Sequence, residues 1–211
     1  MSEMLKKEYN SKKEKIRARL EDFKKVWGMT DERLFSELCF CLCTPQSRAV
    51  YCDRAINTLV ENRGLFSGDF DMIRRGLTAV RFPNNKTKFI IHTRELMTDG
   101  TGKIRVKDKI DPRNIFYTRE WLVKNVKGLG WKEASHFLRN IGFGDDLAIL
   151  DVHILKNMRK YRVIDELPAA ISKKDYFVLE ERLREFSRKI SIPMGELDLL
   201  FWSSETGKIF K

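Results

Sequence analysis

Apolar residues recur at helical spacing along almost the whole chain. Ile16, Leu20, Phe23 and Trp27 step by 4, 3 and 4, which predicts one buried stripe on a long basic N-terminal helix that Gly28 ends. Thr30 is placed to cap a second helix whose inner face carries Leu34, Phe35, Leu38, Cys41 and Leu42, and Thr44-Pro45 stops it. The run Arg81–Asn85 reads as a turn before a helix holding Phe89, Ile90 and Leu96. Asp111-Pro112 breaks the chain again, and Thr118 is the predicted cap of a helix with Trp121, Leu122 and Val126 inward. Ala134, Phe137, Leu138 and Ile141 follow at i, i+3, i+4 and i+7, closed by Gly142. Ile154, Leu155, Met158 and Tyr161 mark a further helix, and Tyr176, Leu179, Leu183, Phe186 and Ile190 another. A last one carries Leu197, Leu200 and Phe201 and ends at Gly207. No segment alternates like a strand, and there is no repeat or long linker. The predicted fold class is all-α.

Composition narrows the partner. The 211 residues carry a net charge of +11, so an acidic partner is expected, and nucleic acid is the commonest one. A basic protein that binds nothing is the alternative on charge alone. No run of 18 or more apolar residues exists to span a membrane, and the N-terminal Met1-Ser2-Glu3 leads into a charged helix rather than an apolar signal segment, which predicts a cytoplasmic protein. Cys39, Cys41 and Cys43 lie at i, i+2 and i+4, a spacing that cannot easily converge on one metal, and Cys52 fits no zinc or iron–sulfur spacing. They read as buried small hydrophobes. No metal or cofactor is expected.

The segment Val126-Lys127-Gly128-Leu129-Gly130-Trp131-Lys132 carries the chemistry. Helix, Gly128-Leu129-Gly130, helix is the pattern of a helix-hairpin-helix. Glycines permit unusual backbone angles and close approach of a ligand, while Leu129 would plug the turn into the core. The free N–H groups opening the second helix suit a DNA phosphate, whatever the sequence. A hairpin corner that binds nothing is the plain alternative, and the basic chain favours phosphate. Lys132 stands at the N-terminal end of that helix, where the dipole disfavours positive charge and so favours the neutral amine a lysine nucleophile needs. Nineteen residues on, Asp151 follows the apolar run Leu147–Leu150. It is a candidate partner of Lys132 and equally a candidate helix cap. The plain reading of Lys132 is a solvated lysine, and His153 reads as a packed histidine.

Gly128-Leu129-Gly130-Trp131-Lys132-Glu133-Ala134-Ser135-His136-Phe137-Leu138-Arg139-Asn140, with Leu150-Asp151-Val152-His153-Ile154-Leu155, resembles the helix-hairpin-helix DNA glycosylase superfamily. More narrowly it is similar to the archaeal-type branch of the 8-oxoguanine DNA glycosylase/AP lyases (the second Ogg family). Leu38-Cys39-Phe40-Cys41, Arg81-Phe82, Glu196–Trp202, Thr206-Gly207-Lys208 and the final Lys211 resemble the same branch, so the likeness covers most of the chain. The endonuclease III relatives hold an iron–sulfur cluster on four late cysteines, and this chain has none after Cys52.

The resemblance implies two helical parts with the hairpin at the cleft between them. One is a helical barrel over residues 31–130 that ends in the hairpin. The other joins 1–30 to 131–211. It implies a monomer acting on double-stranded DNA that contains a damaged base, in base-excision repair. The damaged nucleotide flips out, Lys132 attacks C1′ to form a Schiff base, and β-elimination cuts the strand. Asp151 stabilises positive charge on the sugar and can assist proton transfer from Lys132. Phe82 and Trp202 match positions that would sandwich the base, and the terminal carboxylate of Lys211 would take part in its recognition. Core packing is the alternative for Phe82. The stretch Thr44-Pro45-Gln46-Ser47 departs from the branch near the opposite strand, where Gln46 is a candidate to fill the hole left by the flipped base. A glycosylase for another lesion, and a hairpin protein that only binds DNA, are the competing functions. A metal-dependent nuclease would need clustered carboxylates that the sequence lacks.

Overall fold

The computed structural model describes residues 2–210. Its elements are α1 (Ser2–Trp27), α2 (Asp31–Cys43), α3 (Ala49–Glu61), α4 (Gly64–Ser67), α5 (Phe70–Gly76), α6 (Pro83–Met97), α7 (Ile115–Asn125), α8 (Trp131–Asn140), α9 (Val152–Lys160), α10 (Lys173–Ile190) and α11 (Met194–Thr206), with one short 3-10 turn at Lys107–Lys109. A lone bridge pairs Thr98 with Ile104, and no longer strand occurs among the described residues. No helix among them is long and apolar enough to cross a membrane.

Local chemistry explains most helix ends. The Thr30 side chain accepts the Arg33 N–H and starts α2. Gly207 takes a left-handed conformation and ends α11. Ser172 and Asp175 form a reciprocal capping box on α10. Three expectations change. α6 starts at Pro83, inside the expected turn, because proline's fixed φ suits the first helical position and its missing N–H costs nothing there. Thr118 does not cap α7: Asn114 does, by accepting the Tyr117 N–H at 3.1 Å. The Thr118 hydroxyl is buried one turn inside and accepts from the Asp111 N–H at 2.9 Å, which pins the Asp111-Pro112 turn. Helix α3 and the short helices α4 and α5 have no counterpart among the expected elements.

The buried side chains gather into two clusters. The first runs from Val26 and Leu34 through α2, α3, α6 and α7 to Leu147. The second joins Leu5, Tyr9, Ile16 and Phe23 of α1 to Ala148, Leu150 and the apolar faces of α9, α10 and α11. The sequence reading places residue 131 onward with the second part. In the structure Ala134, Phe137, Leu138 and Ile141 belong to the first cluster, while Trp131 packs against the second. α8 is therefore shared by both, because its residues are buried all round from Glu133 to Asn140.

A buried ion pair joins the clusters. Arg119 on α7 is 1% exposed, and its guanidinium donates to both oxygens of Glu180 on α10, at 2.7 and 2.9 Å. Glu180 also accepts the Ala148 N–H at 2.8 Å, and Arg119 donates to the Ser135 hydroxyl on α8 at 3.1 Å. Removing one partner of such a pair strands the other charge in a dry interior, at a cost of about 3–5 kcal/mol. We expect Glu180→Ala to lower the unfolding free energy by that amount, read from the urea midpoint at an unchanged slope.

Candidate DNA-processing cavity beside a helix hairpin

The hairpin is built as its residues suggest, with one difference. Gly128 sits at φ +88°, and a Cβ there would stand 2.3 Å from the Phe89 ring, so only glycine fits. Gly130 is extended, at φ −91°, a conformation open to any residue. Leu129 is 4% exposed and seals the turn against the first cluster. No side chain caps α8, so its opening N–H groups are left for an outside acceptor.

Beside the hairpin lies a cavity of about 1020 Å³. One wall is the segment from Thr44 to Tyr51. The other combines the start of α8, the start of α9 and the end of α11. Lys132, Asp151 and Trp202 all line it. Lys132 is the second residue of α8, and its side chain is 25% exposed. Its ammonium lies 2.8 Å from Oε1 of Glu133. Asp151 is the N-cap of α9 and accepts the His153 and Ile154 N–H groups through Oδ1, each at 2.8 Å. The capping reading holds, and the capped residue stands in the cavity wall. His153 stands edge-on to Trp202, with ring centroids 6.4 Å apart, and Trp202 stacks on Phe210 at 6.3 Å.

Other expected residues lie elsewhere. Phe82 is 49% exposed in a left-handed conformation at the start of α6, so it is not core, and it is not in the cavity wall. The Arg81 guanidinium lies 5.1 Å from its ring centroid. Lys211 lies outside the described residues. Gln46 is in the wall and is itself left-handed, at φ +55°. Its loop is held from below by the buried Lys86, whose amine donates to Cys43 O, Pro45 O and Ser47 Oγ at 2.6, 2.9 and 2.9 Å. Ser47 in turn accepts the Arg81 N–H at 3.0 Å, which ties the Gln46 loop to the Phe82 turn. The four cysteines are free and buried.

Among the wall residues given no role in the sequence reading are Glu133, Arg139 and Asp198. Asp198 is buried on α11, one turn before Trp202, and lies 3.8 Å from the Arg139 guanidinium. Burial pushes its carboxyl up from 3.8 to about 6; Arg139 opposes the shift and the Asp151 charge adds to it. A carboxylate inside the apolar run Leu197–Phe201 was the available signal.

The comparisons with known proteins agree with this geometry. The family model described as 8-oxoguanine DNA glycosylase matches residues 16–192. The chain belongs to this glycosylase family. A relative from Fusobacterium nucleatum, an 8-oxoguanine DNA glycosylase/AP lyase, is 43% identical over 99% of this chain and 100% of its own. The crystal structure of the Methanocaldococcus jannaschii 8-oxoguanine DNA glycosylase superposes with a TM-score of 0.87 at 33% identity, covering 100% of this chain and 95% of that one. The same organism's enzyme, solved with a 15mer DNA containing 8-oxoguanine, gives 0.88 at 32% identity, over 99% of each chain. The all-α class and the hairpin expected from sequence are those of the glycosylase family.

The raised Asp198 makes a stability prediction. The folded state binds this proton more tightly than the unfolded chain, so the contribution is present below about pH 4 and is lost as pH rises through about 6. The span of about two units corresponds to roughly 3 kcal/mol. We expect Asp198→Asn to gain on the wild type by an amount of that order between pH 4 and 7, measured by denaturant unfolding at each pH.

Proposed function

We propose that this protein excises 8-oxoguanine from double-stranded DNA and then cuts the abasic strand, using Lys132 as nucleophile and Asp151 as its partner. The observation that carries the reading is the meeting of Lys132 and Asp151 in one cavity next to an uncapped hairpin helix. The Gly128-Leu129-Gly130 hairpin grips a phosphate through the N–H groups of Gly128, Gly130 and the start of α8, independent of sequence, while the Leu129 N–H donates to Val126 O at 3.1 Å and holds the turn. The damaged nucleotide leaves the stack, at a cost of a few kcal/mol, and enters the cavity. The Lys132 amine forms a bond to C1′ as the bond to the base breaks, and the bonding pair leaves with the base. The nitrogen lone pair then opens the sugar ring: the C1′–O4′ bond breaks, O4′ takes up a proton and a Schiff base forms, and loss of a C2′ proton from it expels the 3′ phosphate. Asp151, fixed by its two backbone donors, faces the positive charge that develops on the sugar.

Trp202 offers the base a flat face, worth about 1–3 kcal/mol. Phe82 and the terminal carboxylate of Lys211 complete base recognition in this reading; the exposure of Phe82 and its tie to the Gln46 loop support the first. Gln46 fills the vacated place in the duplex. The protein acts as a monomer, in the cytoplasm, through two lobes that meet at the hairpin.

The test is borohydride trapping on a duplex with one 8-oxoguanine, beside an undamaged control. Wild type should give a lesion-dependent covalent adduct. Lys132→Gln should give none, and Asp151→Asn should slow trapping at least ~100-fold while the protein stays folded. An adduct with an abasic site but none with 8-oxoguanine would keep the lysine chemistry and assign a different base. No adduct with either would leave a protein that only binds DNA.

A further inference from the structure

Lys132 does not enter the cavity alone. Its amine lies 2.8 Å from Glu133 Oε1, and the Glu133 side chain is only 12% exposed. Consecutive residues on a helix ordinarily diverge. Here the Glu133 carboxylate folds back over the hairpin, and a Cβ on Gly130 would stand 2.9 Å from Oε2. The carboxylate is thus confined between the nucleophile and the hairpin turn. A second ammonium, that of the buried Lys86, is close enough to feel both charges.

We infer that Glu133 is the base that takes the proton from Lys132 when DNA closes over the cavity. The inference rests on the reading of Lys132 as nucleophile. As an ammonium, Lys132 has no electron pair to give. In the open cavity water solvates both ions, and the pair persists. A bound duplex covers the hairpin and the cavity mouth and removes that water. Two adjacent charges then lose solvation that their mutual attraction does not fully replace, and the neutral pair gains on the ionic one. In the transfer the Nζ–H bond breaks, the Oε1–H bond forms, and the electron pair stays on Nζ for the bond to C1′. No atom has to move far, because Oε1 lies 2.8 Å from Nζ in the ion pair and a small side-chain rotation aims a proton at it. The nucleophile is armed only when substrate is in place. Asp151, held by two backbone N–H groups, is then free to face the sugar.

The experiment is single-turnover borohydride trapping on a duplex with one abasic site, at saturating enzyme and neutral pH. An abasic site isolates imine formation from base recognition. The variants are Glu133→Gln and Lys132→Gln, with duplex affinity and unfolding measured alongside. We expect Glu133→Gln to bind the duplex as wild type does and to trap at least ~10-fold more slowly, since an amide cannot take the proton. A Glu133→Gln rate equal to wild type or faster would overturn the inference, because a carboxylate that merely holds the ammonium would slow the reaction and its loss would speed it. Should Glu133→Gln fold poorly, Glu133→Ala with added formate replaces it: a trapping rate that climbs with formate supports the proton transfer, and a flat rate in folded protein refutes it. Adduct formation by Lys132→Gln would instead remove the nucleophile reading itself.

Discussion

Everything in the site hangs from the way α8 is held. Its first turn presents Lys132, yet the helix has only ten residues and no side-chain cap. Such a helix would be marginal by itself. It is fixed because the first cluster takes Ala134, Phe137 and Leu138, the second packs on Trp131, and the Arg119–Glu180 pair binds α7, α8 and α10 into one unit. The pair sits in a place where a charge without a partner would be very costly, so its geometry is enforced from several sides at once. Ala148, just before the segment that delivers Asp151, donates its N–H to the same carboxylate, and Tyr176 donates to the Ala148 carbonyl at 2.5 Å. Lys132 and Asp151 thus take their positions from one buried network, although 19 residues of sequence separate them.

What could be read in advance follows from what is local. Helical spacing located most of the long elements, because one face of each has to be apolar over several turns, but it was not followed for α3, whose buried Cys52, Ala55, Ile56 and Leu59 keep the same spacing. Thr30 and Gly207 worked as caps because capping depends on a single residue and its neighbours. Gly128, Leu129 and Lys132 were legible for the same reason: a tight turn and a helix start are short-range facts. The reading faltered where two signals compete over a short stretch. Thr118 is a good cap by type, but Asn114 stands four residues earlier and gains the longer helix, leaving Thr118 to serve the Asp111-Pro112 turn. The helices α4 and α5 have four and seven residues, too few to show a period.

The missed site residues failed for a different reason. Glu133 looks like an ordinary acidic residue in a first helical turn, where the dipole favours it. Only the burial of α8 turns it toward Lys132 and the hairpin. Asp198 and Arg139 are on different helices, and their pairing exists only once α8 and α11 converge. Spacing along a chain carries no information about such encounters. The clue that did exist, a carboxylate among Leu197, Leu199, Leu200 and Phe201, states that the residue is unusual without stating what it meets.

The distribution of charge separates the two tasks this fold has to perform. A net charge of +11 faces an anionic duplex, and its effect is long-ranged, weakly directional and screened within about 10 Å at ordinary salt. In the proposed function that suffices to draw DNA to the hairpin, where contacts with phosphate would need no sequence. Inside the cavity the balance changes. Lys132 faces Glu133, Arg139 faces Asp198, and Asp151 lies near enough to Asp198 to raise it. A cavity lined only with cations would bind the backbone well and hold the nucleophile's neighbours in place, but it would offer no acceptor for a proton and nothing to balance a cationic sugar. Carboxylates set among the cations would supply both once bound DNA excludes water from the cavity and each charge acts on its neighbour with little screening.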